Sequence, residues 1–323
     1  MKVIESSKIY SGEELENIFF RPIFSGEKST EEVGFRTMYN VPLPATIGLW
    51  LMDSNILRPY QRGWQGSEGS DRIYCDIDMQ RVKAESAFAA TDYFTHVYEY
   101  LVNKADVNMQ DLSGTVLEQV ETELFRAALA EGIRLTSWIG NMDAEYDFYT
   151  FDGVLKHIHK YATNRKTPSF TIDDTPSPDN VIELLDSLWQ NSDLVLRALR
   201  KDNQLAYFVT GNIYEAYEQY LDSKGADSAY RESIDGRERL CYHGIPIVNM
   251  GVDHRIKYCK LPTTVAVLAD RRNLVLALNT ADCPEAEIRL WYNPDQMENR
   301  QRAVFLAGTC VIDPKLVSYA YSE

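Results

Sequence analysis

The sequence predicts an α+β fold in which one long helix is combined with strands that fill the last third of the chain. The chain has 323 residues, enough for one large domain or two closely joined ones. Apolar residues repeat with a helical period over residues 112–139. A short apolar strand at 205–210 leads directly into a helix at 213–221. Strand-like stretches then follow at 241–250, 263–268, 274–278, 287–292 and 302–312.

Two extended elements are predicted before the long helix. Residues 1–36 are polar and rich in Glu, a pattern typical of an arm that lies on another surface. Residues 37–84 hold two apolar or alternating stretches around a loop rich in Gly and Ser, which predicts a long two-stranded excursion. The tip of this excursion is predicted at Arg62, Gly63 and Trp64.

The helix predicted at 112–139 is the strongest element of the sequence. At 1.5 Å per residue it would be about 40 Å long, longer than is usual in a compact domain. Gly140 is a suitable stop after its last turn. We expect its buried face to carry the apolar residues that repeat at three, four and seven-residue steps: Leu117, Val120, Leu124, Ala128 and Leu135.

A domain boundary is predicted within residues 162–180, which are rich in Thr, Ser, Pro and Asp. A helix predicted at 179–200 follows, with Ser177 as a cap before Pro178. Its buried residues are expected to be Val181, Leu184, Leu185, Leu188 and Trp189.

Composition excludes several classes of protein. The chain has 33 Lys and Arg against 48 Asp and Glu, a net charge of −15, which disfavours binding of polyanions unless a local basic face overrides it. The longest apolar runs, such as 264–269, are far shorter than the roughly 20 residues of a membrane span. Residues 1–8 do not resemble a secretory signal, and we expect a protein that is made and used inside a cell.

Signatures of catalysis are weak. The sequence has no GxSxG, GxxxxGK[ST], HExxH, or GxGxxG after a strand, so we expect no catalytic residue, no resident metal and no cofactor. The five cysteines are scattered, without CxxC, and are expected to be reduced. Cys75 lies among carboxylates that would raise the pKa of its thiol and make it a poor nucleophile.

Three groups of potential metal ligands nevertheless stand out. His157 and His159 would share one face of a strand, and we interpret them as surface histidines. An acidic stretch could bind Ca²⁺, but we favour the interpretation that it is a solvated connector. It comprises Asp143, Glu145, Asp147 and Asp152. The remaining group mixes ligand types at spacings of no known zinc family, and we favour unligated residues; it comprises Cys241, His243, Asp253, His254 and Cys259.

The order of elements from residue 205 onward resembles a known family. The strand at 205–210 and its helix are followed by the turn Gly244-Ile-Pro-Ile247, by a late strand at Arg272-Asn-Leu-Val275, and by a closing hairpin and final strand over 288–314. In this order and spacing the chain resembles the major capsid protein of tailed bacteriophages, which has the HK97-like fold.

The resemblance implies an HK97-like capsid fold with five consecutive parts. These are an N-terminal arm at 1–36, an extended β-hairpin loop at 37–84, a peripheral domain at 85–165 with its spine helix at 112–139, an axial domain at 166–300, and a C-terminal strand at 301–323 that returns to the peripheral domain. Arg62, Gly63 and Trp64 would then be an assembly contact.

The resemblance also implies a structural protein and not an enzyme. Pentamers and hexamers of this chain would form an icosahedral shell, built in the bacterial host cytoplasm with scaffolding and portal proteins. The virion capsid would enclose double-stranded DNA without binding it specifically and without any contact with a membrane.

The sequence departs from the family pattern at two points, and three alternatives to an active phage capsid protein stay open. No lysine occurs between Lys28 and Lys83, so we expect no covalent cross-link from the extended loop. Only about 36 residues precede that loop, so we expect a separate scaffolding protein or none. The alternatives are an encapsulin-type nanocompartment, a metal-dependent soluble enzyme that uses the 241–259 region, and a defective prophage remnant that still folds.

Overall fold

The computed structural model describes residues 8–10, 34–52, 60–63, 70–89, 116–144, 147–173, 175–225, 231–234, 237–281, 283, 287–293, 295–296 and 298–322. The helices of this part of the chain are α1 (Val116–Ile139), α2 (Val154–Thr163), α3 (Val181–Asn191), α4 (Leu194–Ala198), α5 (Gly211–Lys224) and α6 (Asp253–Ile256). Short 3-10 helices lie at Leu199–Asp202, Arg271–Asn273 and Pro314–Leu316. No helix among these residues is long and apolar enough to cross a bilayer.

The strands form two large sheets and one separate pair. The strands are β1 (Lys8–Tyr10), β2 (Arg36–Tyr39), β3 (Ala45–Met52), β4 (Ser70–Ile77), β5 (Gln80–Ala89), β6 (Ser169–Thr171), β7 (Leu205–Val209), β8 (Arg231–Ile234), β9 (Arg237–Tyr242), β10 (Ile245–Asn249), β11 (Val265–Asp270), β12 (Leu274–Asn279), β13 (Glu287–Asn293), β14 (Glu298–Val311) and β15 (Val317–Tyr321). The predicted α+β class is therefore confirmed.

The six-stranded sheet is built around β14, its longest strand. Its order is β1-β13-β14-β12-β2, and β5 pairs antiparallel with the first ten residues of β14. Side chains alternate between its two faces, because successive residues of a strand point to opposite sides. Ala303, Phe305 and Ala307 face a core shared with α1, whereas Cys310 and Ile312 face the hairpin formed by β3 and β4.

The seven-stranded sheet is covered on both faces. Its order is β6-β15-β11-β7-β10-β9-β8, and every residue of β7 and β11 is buried. One face, with Tyr207 and Val209, packs with the apolar residues of α3 and α5. The other face, with Ala206 and Phe208, joins the same core as α1 and the six-stranded sheet. Continuous apolar strands such as β7 are typical of a sheet buried on both sides.

Three aromatic rings connect the two sheets at the end of α1. The ring of Trp138 lies 4.6 Å from that of Phe35 and 5.1 Å from that of Phe208, measured between centroids. Trp138 and Phe208 are almost completely buried, at 2% and 0% exposure. The residue just before β2, the long helix and the seven-stranded sheet therefore meet in one contact.

The long helix is confirmed at Val116–Ile139, while residues 112–115 and the side chains of Leu117 and Val120 lie outside the described part of the chain. Its predicted buried face is partly wrong. Leu135 is buried, whereas Leu124 is 54% exposed and Ala128 is exposed too. These two line an open apolar groove of about 450 Å³ between α1 and β5. The core residues of this stretch repeat at four-residue steps: Phe125, Leu129 and Ile133. Apolar residues surround most of the helix here, so period alone does not decide which face is buried.

Two glycines allow the end of α1 to contact the start of α2. The Gly153 amide donates to the Gly140 carbonyl oxygen at 2.8 Å. A Cβ atom on Gly153 would lie 2.6 Å from the Gly140 nitrogen and 2.7 Å from the Trp138 carbonyl oxygen. Only a residue without a side chain fits between these backbone atoms. Gly140 also follows the last residue of α1, as predicted.

Two elements predicted as single are divided. The helix predicted at 179–200 is α3 and α4, because Asp193 Oδ1 accepts the Val195 amide at 2.9 Å and caps a new helix. The strand predicted at 241–250 is split between β9 and β10, which are antiparallel. His243 and Gly244, between them, both have positive φ, 51° and 74°, as a two-residue hairpin turn requires.

The predicted segments 37–84, 166–300 and 301–323 do not coincide with the sheets. Within 37–84, β2 and the start of β5 belong to the six-stranded sheet, and the separate hairpin is only 45–77. Within 166–300, β12 and β13 also pair in the six-stranded sheet, while β15, near the end of 301–323, pairs with β11 in the other sheet. The chain alternates between the sheets, and β11 and β12 are equally buried, so their residues do not reveal the sheet they join.

Candidate functional site

The hairpin of β3 and β4 is the clearest candidate for a functional element. Its antiparallel register runs from Ala45 opposite Ile77 to Met52 opposite Ser70. Eight residues in each strand give a length of about 25 Å. No third strand of the described chain pairs with it. A two-stranded sheet of this kind is marginally stable in water and is stabilised when it packs on another surface.

The base of the hairpin is fixed to the six-stranded sheet by a small apolar core. Its buried members, from both elements, are Val41, Ala45, Ile47, Ile77, Val275, Ala277, Cys310 and Ile312. Gly308 lets the hairpin approach β14, because a Cβ atom there would lie 2.6 Å from the Asp78 carbonyl oxygen. Thr46 Oγ1 donates to Asp76 Oδ1 at 2.7 Å across the two strands.

The chain enters the hairpin through a pair of asparagines that sequence reasoning missed. Asn40 adopts a positive φ of 51°, and its amide donates to the Leu278 carbonyl oxygen at 2.8 Å. Asn279, which is completely buried, donates from Nδ2 to the Val41 carbonyl oxygen at 2.6 Å. The only local signal in the sequence was the residue type at position 40, since Asn tolerates a positive φ better than most side chains.

The described residues of the outer part of the hairpin are exposed. Tyr74 is 58% exposed and Tyr60 is 93% exposed. Arg62 and Gly63, two of the predicted tip residues, are exposed, and Gly63 has a φ of 117° that favours glycine. Trp64, the third, lies outside the described residues. Large aromatic side chains on an exposed excursion are typical of a surface that another protein covers.

His157 and His159 lie on α2 and not on a strand, so that prediction is wrong. Burial lowers the pKa of both imidazoles, and His157 is half-buried instead of lying on the surface. The ring of His159 contacts the ring of Tyr321 edge-on, with 5.2 Å between centroids. The burial of His157 and the ring contact of His159 indicate that both histidines pack against the rest of the fold.

The mixed Cys, His and Asp group is used for structure. Asp253 Oδ1 accepts a hydrogen bond from the Gly211 amide at 2.7 Å and so satisfies one of the N–H groups in the first turn of α5 that have no partner within the helix. Burial raises the pKa of the Cys259 thiol to about 11. The Cys241 carbonyl oxygen accepts the Tyr217 hydroxyl at 2.8 Å. Within the described ranges no three His, Cys, Asp or Glu side chains are placed to hold a metal ion.

The acidic group holds a lysine. Lys156 Nζ donates to Asp143 Oδ2 and to Asp152 Oδ1, both at 2.7 Å. The hydrogen bond from Lys156 lowers the pKa of the Asp143 carboxyl. Asp147 lies 3.7 Å from Arg255, and Glu145 lies outside the described residues. A lysine already occupies the position that a cation would take, so the group joins the end of α1 to α2.

The prediction for Cys75 is wrong in direction. The neighbouring Cys310 thiol lowers the pKa of the Cys75 thiol, although burial and Asp76 act the other way. The sequence could not reveal this neighbour, because Cys310 lies on β14, far along the chain. Cys75 is therefore a better nucleophile than its carboxylate neighbours suggest.

Comparison with known proteins identifies the fold. No protein-family model and no curated protein sequence matches this chain. A chain from the procapsid of satellite phage P4 with its size determination (Sid) protein matches 90% of this chain and 96% of its own length, at 10% identity and a TM-score of 0.56. A chain from the capsid of Myoviridae phage XM1 matches 93% of both, at 11% identity and a TM-score of 0.52.

An encapsulin, SrpI of Synechococcus elongatus PCC 7942, matches less well. It covers 89% of this chain and 84% of its own, at 11% identity and a TM-score of 0.47, too low to carry weight. The two better matches cover almost the whole of each chain. The predicted HK97-like capsid fold is therefore confirmed as the fold of this chain.

Proposed function

We propose that this chain is the major capsid protein of a tailed phage or prophage. Its copies would assemble through pentameric and hexameric rings into an icosahedral shell that encloses double-stranded DNA. The observation that supports this most is the match in fold to a procapsid chain over 90% of this chain and 96% of that one. At such low identity fold alone does not fix function, and the exposed hairpin supplies the second support.

The hairpin supports assembly on physical grounds. It extends about 25 Å as two strands with an anchored base and exposed aromatic residues. Packing on a neighbouring copy would bury these residues and supply the packing surface that an isolated two-stranded sheet lacks. Rings close when the same two surfaces meet repeatedly around an axis, which is how one chain builds pentamers and hexamers.

The charge supports enclosure of DNA without specific binding. A net charge of −15 repels a polyanion at long range, so packed DNA would remain free to leave the shell. We propose that the chain has no catalytic role. Its proposed partners are other copies of this chain together with scaffolding and portal proteins. The site of assembly would be the host cytoplasm, and the final location the virion capsid.

Size and shape of the assembled protein test this proposal. The chain is expressed alone and with its neighbouring genes, and each peak from size-exclusion chromatography is measured by light scattering and negative-stain microscopy. Shells or rings of five and six are expected. Shells that enclose a protein instead of DNA would indicate an encapsulin, and a monomer with stoichiometric metal would indicate an enzyme; either result would contradict the proposal.

The predicted tip residues Arg62, Gly63 and Trp64 remain our proposal for one assembly contact. Trp64→Ala together with Arg62→Ala should lower the yield of shells while the unassembled chain keeps its unfolding midpoint. Tyr149→Ala is the control, because Tyr149 is a 58% exposed aromatic outside the hairpin. Equal yields from the tip variant and the control would refute the contact.

A further inference from the structure

Two thiols from different elements lie together under the hairpin. Cys75 lies on β4 and Cys310 on β14, and both belong to the apolar core at the base of the hairpin. Both are free. Cys310 is 3% exposed, whereas Cys75 is partly accessible to solvent. One thiol of the pair can therefore be reached from solution and the other lies behind it.

The backbones of β4 and β14 approach each other closely two residues away from the two cysteines. Gly308, two residues before Cys310, is so close to β4 that a Cβ atom there would lie 2.9 Å from Ile77 Cγ2. Stacked sheets are usually about 10 Å apart, and a disulfide needs Cα atoms about 4–7 Å apart. The close contact at Gly308 reduces this separation locally, and the Cys75 and Cys310 side chains pack in the same small apolar core.

We propose that Cys75 and Cys310 form a redox modification site, in which a low-molecular-weight disulfide such as glutathione disulfide oxidises them to an intrachain disulfide. This bond would fasten the hairpin to the six-stranded sheet. The timing rests on the proposed function: a shell assembled in the reducing cytoplasm would form the bond after release into an oxidising medium.

The reaction proceeds by two thiol–disulfide exchanges. The Cys75 thiolate attacks one sulfur of glutathione disulfide, forms a mixed disulfide and releases one glutathione thiolate. The Cys310 sulfur then attacks the Cys75 sulfur and its proton passes to the departing glutathione sulfur, which leaves as the second glutathione. Two thiols of the protein are oxidised and one glutathione disulfide is reduced to two glutathiones. Cys75 attacks first because it is the more accessible thiol, and the lowered pKa of its thiol favours the same order.

Peptide mapping of the oxidised chain tests the site directly. The whole unassembled chain, fully reduced, is treated with glutathione disulfide, alkylated and digested without reductant. We expect one disulfide-linked peptide pair that contains Cys75 and Cys310, no retained glutathione, and a urea midpoint that shifts upward and returns on reduction. A stable glutathione adduct on Cys75 with Cys310 still free would overturn the proposal.

Two variants separate the pair from an unspecific oxidation. Cys310→Ser should stop at the mixed disulfide, so that one glutathione remains on Cys75. Cys283→Ser removes another buried thiol on the same face of the six-stranded sheet and should leave the linked pair unchanged. Loss of the linked pair in this variant would refute the assignment.

The result is independent of assembly. Particles that microscopy identifies as shells but that stay unlinked after oxidation would refute the disulfide and leave the capsid function intact. A linked chain that never assembles would support the disulfide and contradict the capsid function.

Discussion

Replacing Gly153 by Ala should destabilise the contact between the ends of α1 and α2. The new Cβ atom would lie 2.6 Å from the Gly140 nitrogen, 2.7 Å from the Trp138 carbonyl oxygen and 2.8 Å from that of Thr136. All three are backbone atoms at the end of a helix, so no side chain can rotate away. Gly153 itself has a φ of −87°, which any residue adopts, so the cost comes from crowding and not from backbone strain.

The expected loss is about 2–4 kcal/mol. Overpacking in a rigid region costs about 1–3 kcal/mol, and separation of the helix ends weakens the 2.8 Å hydrogen bond from Gly153 to Gly140, which is worth about 1 kcal/mol. Urea unfolding of the unassembled chain, followed by circular dichroism, measures the free energy of unfolding.

Gly132→Ala is the matched control, on the same long helix. Beyond the backbone of its own helix, no atom lies within 4 Å of a Cβ at Gly132, and Ala is favoured over Gly inside a helix, so this variant should gain up to about 1 kcal/mol. The same chemical change thus has opposite effects at two sites. A Gly153→Ala chain within about 0.5 kcal/mol of the parent would refute the argument from close contact.

Three further predictions concern stability and its dependence on pH. Trp138→Ala removes the central ring of the aromatic contact and should cost about 3–5 kcal/mol in urea unfolding; a loss below about 1 kcal/mol would show that the rings do not join the sheets. Asp193→Ala removes the cap of α4 and should lower the free energy of unfolding by about 1 kcal/mol, whereas Asp193→Asn should retain most of the stabilisation by the cap. Burial lowers the pKa of His157, so below about pH 6.5 the unfolded chain takes up a proton that the folded chain refuses, and stability falls as pH falls. His157→Gln should flatten this decline by at most about 1.4 kcal/mol per pH unit, measured as urea midpoints between pH 7 and pH 5; an unchanged slope would contradict the assignment.

Elements with a strong local pattern were predictable from the sequence. The end of α1 follows from a long helical period that stops at Gly140, and β7 with α5 follows from a short apolar strand joined to a helix. The face of α1 was not predictable around Leu124, because apolar residues there occupy several sides of the helix. The sheet that contacts the helix decides between them, and its strands lie elsewhere in the sequence.

The hairpin was predictable as an excursion, but the way its base is held was not. Turn residues around the two stretches of 45–77 indicate the strands. The hydrogen bond from Asn279 to Val41 joins positions 238 apart, and no local pattern indicates such a pair. The same holds for Cys75 and Cys310, whose contact depends on the close approach at Gly308. Sequence patterns report periods within an element, whereas these contacts depend on how distant elements pack.

The contact of Phe35, Trp138 and Phe208 determines which parts of the chain can change angle. Because one core joins α1 to both sheets, we expect the two sheets to tilt together as a single rigid body. A subunit in a ring of five meets its neighbours at a steeper angle than a subunit in a ring of six. In the proposed shell this difference in curvature would be taken up outside the rigid body, by the hairpin that pivots about its anchored base.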